Sequence, residues 1–552
     1  MIADIHITEK SFGDKTLMKD VKFSVDDGEK VGVVGRNGVG KSTLFGILSG
    51  KDTDYTGEVI FRRGITIATT AQEHHGLGDQ TVMSYILGGL PEYSKLNKII
   101  DEYPLTMGDN MRKIEEYTQA LERFDQKGFY QIEEKIEREL SNFQLEGFGN
   151  RKISSLSGGQ KRLVEIVKIM HSEAHLALID EPTNHMDYVA KQQFIDWMNS
   201  QPHQAMLIIT HDRDVLGQVD RIVEIKDGQA VSYRGNYDAY LKQNAQATTA
   251  GMNNFEQIEK RIVNLKQKVL DYQRLKEKSR NPGTIQKFKR LENEARAELA
   301  ELSEMEKPTF WIDKESASQL DYKSAERYGK FKSRNIRLSM KDASSRSQHV
   351  LVRAENVAVG TGERILFEDV NIDLREGEAI EIRGRNGAGK TTLIRMILAS
   401  GKSFDGGPIL YSGDIFLDPQ VRIGVYEQEI DERYLSDPLE KAIEKLYMSR
   451  DLSISDTKIR QLLADYLFTD ADRMTPLARL SGGQKARFQI IAMLANDPQL
   501  LVLDEPTNHL DLPSIEELET ALAKYSGAIL YVSHDNYFRE KLGGKVVQIG
   551  AE

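Results

Sequence analysis

Cysteine is absent from all 552 residues. That excludes disulfides, iron–sulfur clusters and thiolate zinc sites. No apolar run approaches 18 residues, so a membrane-spanning helix is not expected. The opening "MIADIHITEK" has neither the basic start nor the apolar core of a secretory signal, which makes the cytoplasm the expected setting. Overall positive charge is also missing. The 74 Lys and Arg against 85 Asp and Glu leave a net charge of −11, so nucleic-acid binding would have to rest on local charge. What is present is an ordinary balance of apolar and charged residues, on a chain long enough for two or three domains.

The chain reads as a duplication. "GRNGVGKSTL" at 35–44 recurs as "GRNGAGKTTL" at 384–393, and "LSGGQK" at 156–161 recurs at 480–485. "DEPTNHMD" at 180–187 recurs as "DEPTNHLD" at 504–511, and "THD" ending at Asp212 recurs as "SHD" ending at Asp535. The order is the same in both halves, which predicts two homologous domains at 1–243 and 348–552. Short β-branched runs such as "KVGVVG" and "HLALID" alternate with helical stretches, so the fold class is α/β with a mainly parallel sheet in each half.

Two segments break the symmetry. Between Gln72 and Ser157 the first half is about 32 residues longer than the second half between Gln428 and Ser481, and the excess falls at about 91–128. The stretch between the halves, 244–347, carries Phe255, Ile258, Ile262, Leu265, Val269 and Tyr272 at spacings of three and four, a heptad seam on one helix. Asn281-Pro282-Gly283 reads as a break, followed by a second helix with Phe288, Leu291, Ala295, Leu299 and Leu302. The pair predicts a long helical hairpin about 35 Å in length, with about five residues, 280–284, at its turn. Its tip, 274–290, holds Arg274, Lys276, Lys278, Arg280, Lys287, Lys289 and Arg290 against one acid, Glu277.

Gly35-x4-Gly40-Lys41-Ser42 and Gly384-x4-Gly389-Lys390-Thr391 fit a phosphate-binding loop. Glycines there let backbone N–H groups close around phosphate oxygens at a helix N-terminus. The loops include Asn37, Gly38 and Thr43 in the first half and Asn386, Gly387 and Thr392 in the second. Lys41 and Lys390 would meet the β- and γ-phosphates of a nucleotide, and Ser42 and Thr391 would bind Mg²⁺. "ALIDEP" and "LVLDEP" end buried strands in paired acids. Asp180 and Asp504 would support the metal, and Glu181 and Glu505 are placed to polarise an attacking water. His211 and His534 each follow an apolar run and suit γ-phosphate sensing. Ser157, Gly158, Gly159 and Gln160, and their repeats Ser481, Gly482, Gly483 and Gln484, open helices whose N-termini can bind anions.

Phosphate loop, glutamine, LSGGQ, acid pair and switch histidine together resemble the ATP-binding-cassette set. The resemblance implies two cassettes packed head to tail, with ATP and Mg²⁺ between one phosphate loop and the other LSGGQ. One composite site would join Lys41, Ser42, Gln72, Asp180, Glu181 and His211 to Ser481 and Gly483. Its partner would join Lys390, Thr391, Gln428, Asp504, Glu505 and His534 to Ser157 and Gly159. Gln72 and Gln428 would also face the metal. Phe12 matches the aromatic that stacks on adenine, whereas the second half offers only Val359 or Thr361 there, a departure that predicts stacking either weaker at the second site or supplied from elsewhere.

"EPTNHMD" and "EPTNHLD", with a charged helical linker of this length, resemble the ABC-F family of tandem ATPases, closest to its translational-throttle type. The resemblance implies an ATPase that acts on the ribosome without a membrane partner, as a monomer with its own cassettes paired. The linker would enter the tRNA exit site and bring its tip towards P-site tRNA and the peptidyl-transferase centre. The extra segment near 91–128 would be an arm touching the stalk region. A short hairpin turn and an arm favour a general translation factor over an antibiotic-resistance protein. A transporter subunit would leave the hairpin without a role. A DNA-repair ATPase would be expected to carry longer coiled coils or zinc-binding cysteines.

Overall fold

The short apolar runs of each half become the inner strands of one sheet. The computed structural model describes the chain except for residues 13–14, 71–78, 109, 185, 304, 306, 309, 319, 321, 339–348, 363, 403–406, 428–429 and 551–552. In the first half six strands lie in the order Ile67–Thr69, Leu176–Asp180, Ala205–Ile209, Lys30–Gly35, Arg221–Lys226 and Gln229–Arg234, all parallel except the last pair. In the second half five parallel strands follow the order Ile423–Tyr426, Leu500–Asp504, Ala528–Val532, Ala379–Arg383 and Lys545–Gln548. The inner strands are buried on both faces, which explains why "LALID", "AMLII", "LLVLD" and "AILYV" are continuous apolar runs.

Each half adds a three-stranded antiparallel sheet, Lys15–Val25, Ala3–Phe12, Thr56–Phe61 and Arg364–Arg375, Val350–Thr361, Ile409–Leu417. Each also has a helical layer. In the first half Ile86, Ile136, Leu140, Val164 and Val167 are buried together. In the second half Leu439, Ile443, Leu463 and Ile490 do the same. The excess of the first half forms two helices, Tyr93–Thr106 and Met111–Gln126. Their base is fixed by the forked Arg123–Glu92 ion pair and by Phe124 packed on Tyr93 and Phe129. Pro104 sits inside the first of these helices and does not end it.

The two halves form one compact unit, Met1–Tyr237 with Ile336–Glu552, and Asp238–Asn335 forms a second. The second unit holds all but the first residue of a 42-residue helix, Tyr237–Lys278, followed by a 22-residue helix, Pro282–Ser303. The first starts before residue 244, because nothing in "YDAYLKQNAQATTAG" stops a helix. Leu265, Val269 and Ala295 form the buried seam, and Tyr272 stacks on Phe288. A separate small core joins Met252, Phe255, Ile312, Tyr328 and Phe331.

The turn corrects the sequence reading. Asn281-Pro282-Gly283 begins the second helix: the Asn281 side chain accepts the Gly283 N–H at 2.9 Å, and proline occupies the first helical position. Residues 279–281 alone join the helices, fewer than the expected 280–284.

Candidate functional site

Both phosphate loops follow a central strand and end at a glycine with positive φ, Gly40 at 101° and Gly389 at 99°, immediately before a helix. An L side chain is strained there, so glycine is the residue the loop requires. Lys41 and Lys390 head those helices with buried side chains, and each ammonium group donates back to its own loop. Lys41 Nζ reaches the carbonyl oxygens of Gly35 at 2.6 Å and Arg36 at 3.2 Å. Lys390 Nζ reaches those of Gly384 at 2.8 Å and Arg385 at 3.0 Å. Burial lowers the pKa of both lysines, and nearby carboxylates oppose that shift.

The next residue meets the acid strand. Ser42 Oγ donates to Asp180 Oδ2 at 3.1 Å, and Thr391 Oγ1 donates to Asp504 Oδ2 at 2.7 Å. A hydroxyl and a carboxylate converging on one point make an oxygen donor pair, the chemistry that a hard cation such as Mg²⁺ takes. Thr43 and Thr392 follow in the same helix turns. Gln72 and Gln428 lie outside the described residues.

Glu181 and Glu505 come next, with φ of 48° and 51°, a costly backbone region for glutamate. Their N–H groups are tied to the neighbouring strand, at Ile209 O (2.7 Å) and Val532 O (3.0 Å). His211 Nε2 stands 3.5 Å from Glu181 Oε1, and His534 Nε2 stands 3.4 Å from Glu505 Oε1. Both ring nitrogens of His211 and Oε1 of Glu505 are buried without a hydrogen-bond partner among the described residues. Burial pushes Glu181 up to about 8, with the Asp180 carboxylate adding to the effect and Lys41 opposing it. Glu505 rises to about 7 by burial, opposed by Lys390 and by the His534 N–H. Burial, followed by the loop lysines, drives both histidines down to about 3, so the imidazoles are neutral at pH 7. Each pair is thus a desolvated carboxyl beside a neutral imidazole, an arrangement suited to orienting a water.

The LSGGQ segments begin helices through reciprocal caps. Ser157 Oγ accepts the Gln160 N–H at 3.3 Å while Gln160 Oε1 accepts the Ser157 N–H at 3.0 Å. Ser481 and Gln484 repeat this at 3.3 and 2.9 Å. These glutamines fix the helix start. Gly158, Gly159, Gly482 and Gly483 occupy the first turns.

The halves face each other head to tail. A cavity of 710 Å³ is lined by Ser157, Gly158, Gly159 and Gln160 of the first half and by Asn386, Gly387, Gly389, Lys390, Thr391 and Thr392 of the second. Asp504, Glu505 and His534 line it too, as do Glu181 and His211. Opposite, the Lys41 loop presses on the second LSGGQ: Asn37 Nδ2 donates to His509 O at 2.9 Å, and a Cβ added to Gly483 would lie 2.0 Å from that nitrogen. Gly38 in that loop is exposed.

Two residues escaped the sequence reading as site elements. Asp187 and Asp511 end the EPTNH runs and cap the next helix, accepting the N–H of Ala190 at 2.9 Å and of Ser514 at 3.1 Å. Their second oxygens accept loop N–H groups of the opposite half, Asn386 for Asp187 and Asn37 for Asp511, both at 3.0 Å. Burial alone would raise the Asp187 pKa, but the N–H groups of Ala190 and Asn386 and the nearby Arg385 hold it below the usual range. The signal in sequence was an aspartate at helix-cap position in both copies.

Phe12 ends its strand 57% exposed, with the Lys10 ammonium 4.8 Å from its ring centre. The strand position matching it is Thr361, also terminal and exposed, whereas Val359 is buried in the core and cannot stack on a ligand.

Comparison with known proteins matches residues 18–184 and 367–508 to the "ABC transporter" family model. The chain is 30% identical to the putative ATP-binding protein YdiF of Bacillus subtilis (strain 168), covering 100% of this chain and 80% of that protein. It is 27% identical to the energy-dependent translational throttle protein EttA of Mycobacterium tuberculosis (strain ATCC 25618 / H37Rv), over 96% of this chain and 88% of EttA. Identity to the ribosome protection protein VmlR of B. subtilis is also 27%, over 96% of this chain and 83% of VmlR.

Proposed function

This chain belongs to the ABC transporter family of ATP-binding cassettes and, within it, to the ATP-hydrolysing ABC-F proteins, and from that premise we propose that it spends ATP on modulating translation at the ribosome. The observation that carries the enzymatic part is the cavity bounded by the LSGGQ helix of one half and the phosphate loop of the other. In this reading the residues 1–243 and 348–552 are the cassettes, 244–347 is the hairpin linker, and the protein works as a cytoplasmic monomer.

At each site the loop N–H groups and Lys41 or Lys390 hold the β- and γ-phosphates, the lysine exchanging its loop carbonyls for phosphate oxygens. Mg²⁺, where bound with ATP, neutralises phosphate charge; Ser42 with Asp180, and Thr391 with Asp504, would hold it, joined by Gln72 and Gln428. Glu181 and Glu505 orient the attacking water, and His211 and His534 contact the γ-phosphate as neutral donors. The opposite Ser481–Gly483 or Ser157–Gly159 completes the phosphate cage, and Phe12 stacks on adenine at the first site only. Because the cage is complete only when the halves meet, ATP binding favours closure and hydrolysis releases it.

The ribosomal part rests on the hairpin. Arg274, Lys278, Arg280, Lys287 and Lys289 are exposed and make no ion pair among the described residues, whereas Lys276 is paired with Glu292 and Arg290 with Glu294. Cations held out on a helix turn suit ribosomal RNA or P-site tRNA phosphates. The helices Tyr93–Thr106 and Met111–Gln126 are the candidate arm for the stalk region. The similarity to VmlR supports a second reading, ribosome protection against drugs; the three-residue turn argues for translation control.

The test is the double variant Glu181→Gln, Glu505→Gln. It should bind ATP without hydrolysing it and cosediment with ribosomes in ATP. Sedimentation apart from ribosomes overturns the ribosomal reading. Raised tolerance to ribosome-targeting antibiotics on expression of the wild-type chain would favour protection.

A further inference from the structure

The two halves are unequal where they meet around the switch histidines. Lys191 lies in the helix Tyr188–Ser200 of the first half, and its side chain is buried. Its ammonium group has three N–H donors and three acceptors around it. These are Asp214 Oδ2 at 2.5 Å, Asp212 Oδ2 at 3.3 Å and the backbone carbonyl oxygen of His534 at 2.9 Å. Asp212 directly follows His211, and His534 belongs to the second half. One side chain therefore joins the loop behind the first switch histidine to the backbone of the second. Asn536, two residues past His534, donates to Asp214 Oδ2 at 2.8 Å and ties the same two loops again.

The repeated positions cannot form the mirror image of this bridge. Aligning Asp187 with Asp511 puts Ile515 in the place of Lys191, and aligning His211 with His534 puts Tyr537 in the place of Asp214. The mirror bridge to His211 thus lacks its ammonium donor and one of its carboxylates. A buried ammonium persists only where its partners offset desolvation, and here one partner is a main-chain oxygen at the opposite site. A charged donor makes a strong hydrogen bond, so it restrains the peptide that carries the His534 ring.

We propose that Lys191 is a positioning residue for the second ATP site, holding the His534 backbone in place from the first half's switch loop; the second half reaches the His211 loop through the Glu519–Arg213 ion pair instead, with no ammonium at the position of Lys191 to bond the His211 carbonyl. Hydrolysis at the Lys390 site then depends on where the His211 loop stands. The inference rests on the roles proposed above for Lys390, Glu505 and His534.

Lys191→Met keeps the aliphatic stem and removes all three donors. It is measured without ribosomes in two parents, Glu181→Gln, where the second site turns over, and Glu505→Gln, where the first does. In the Glu181→Gln parent kcat should fall about tenfold, a loss that a displacement of under about 1 Å can produce, while KM for ATP stays nearly constant. The loss in the Glu505→Gln parent should be much smaller, and Lys191→Arg should restore most of the turnover. Melting temperatures of all variants are recorded, because a general weakening of the interface would lower turnover alike in both parents. Equal losses in the two parents, or equal losses from Met and Arg, overturn the inference. A Glu181→Gln parent that turns over normally and ignores Lys191 overturns it while leaving the ATPase and ribosomal readings intact. A Glu181→Gln parent with no turnover at all overturns the assignment of the second site, and this inference with it.

Discussion

The carboxylate of Asp187, at the end of the first acid motif, accepts the backbone N–H of Asn386 in the second half's phosphate loop at 3.0 Å. Asp511 and Asn37 repeat the bond in the other direction at the same distance. Each aspartate caps a helix in its own half with one oxygen and holds the opposite phosphate loop with the other. The geometry of a loop that must fit a triphosphate is therefore set partly by the other cassette.

Replacing Asp187 by Ala removes a helix cap, worth about 1 kcal/mol, and removes the carboxylate that accepts the Asn386 N–H. ATP turnover should fall by about tenfold, equivalent to about 1.4 kcal/mol of barrier, with a lower melting temperature. Asp187→Asn retains acceptor oxygen for one of the two bonds and should lose less. Steady-state ATPase assays on both variants check this ordering.

Arg213 of the first half and Glu519 of the second form a buried ion pair at 2.9 Å, with side chains 8% and 1% exposed. Glu519→Ala leaves a guanidinium buried without its carboxylate and should destabilise the cassette unit by roughly 3–5 kcal/mol. Replacing both by Met should cost far less, because the isolated charge is gone. Thermal unfolding of the single and double variants gives the comparison.

Glu in place of Arg274, Arg280, Lys287 and Lys289 reverses the exposed charge of the hairpin tip. Ribosome affinity should drop and become less sensitive to salt. The log–log slope should shrink by roughly 0.7–0.9 for every phosphate that the tip no longer neutralises. Sedimentation at several salt concentrations measures it, and ATP turnover without ribosomes should change little. A parallel loss of that turnover would mean that the tip supports the fold.

Glu292 is held by Lys276 at 2.6 Å, Arg296 at 3.0 Å and Gln273 at 3.1 Å. The Lys276 bond, followed by those to Arg296 and Gln273, brings its pKa down to about 2 against the burial that would raise it. A depressed carboxylate stabilises the folded form above its unfolded pKa, near 4.5, and that contribution is lost as pH falls towards 2. Hydrogen exchange of amides in the hairpin should therefore be slower in wild type than in Glu292→Gln at pH 7. The difference should narrow steadily as the pH is taken below that unfolded value.

Much of this was legible in the chain because it is local. A glycine loop before Lys-Ser, a strand ending in Asp-Glu-Pro and a Ser-Gly-Gly-Gln helix start each specify their own backbone over a short stretch of chain. The heptad seam of the hairpin was equally plain in Leu265, Val269 and Ala295. Its turn was misread because proline serves both as a helix breaker and as a first helical residue. Only the Asn281 cap decides between them. The 42-residue first helix was underestimated because a sequence window around its seam says nothing about the uncapped stretch before it.

The sequence by itself determined two cassettes, each with its phosphate loop, LSGGQ segment, acid pair and histidine, and the basic hairpin between them. Only the tertiary structure decided how those sets share work. Asp187 and Asn386 are 199 positions apart, and Lys191 and His534 are 343 apart. No local pattern links residues at such distances, since their meeting is fixed by the packing of one whole half on the other. Asymmetry was hidden for the same reason: Ile515 in place of Lys191 looks like drift between two copies until the buried ammonium is seen on the carbonyl oxygen of His534.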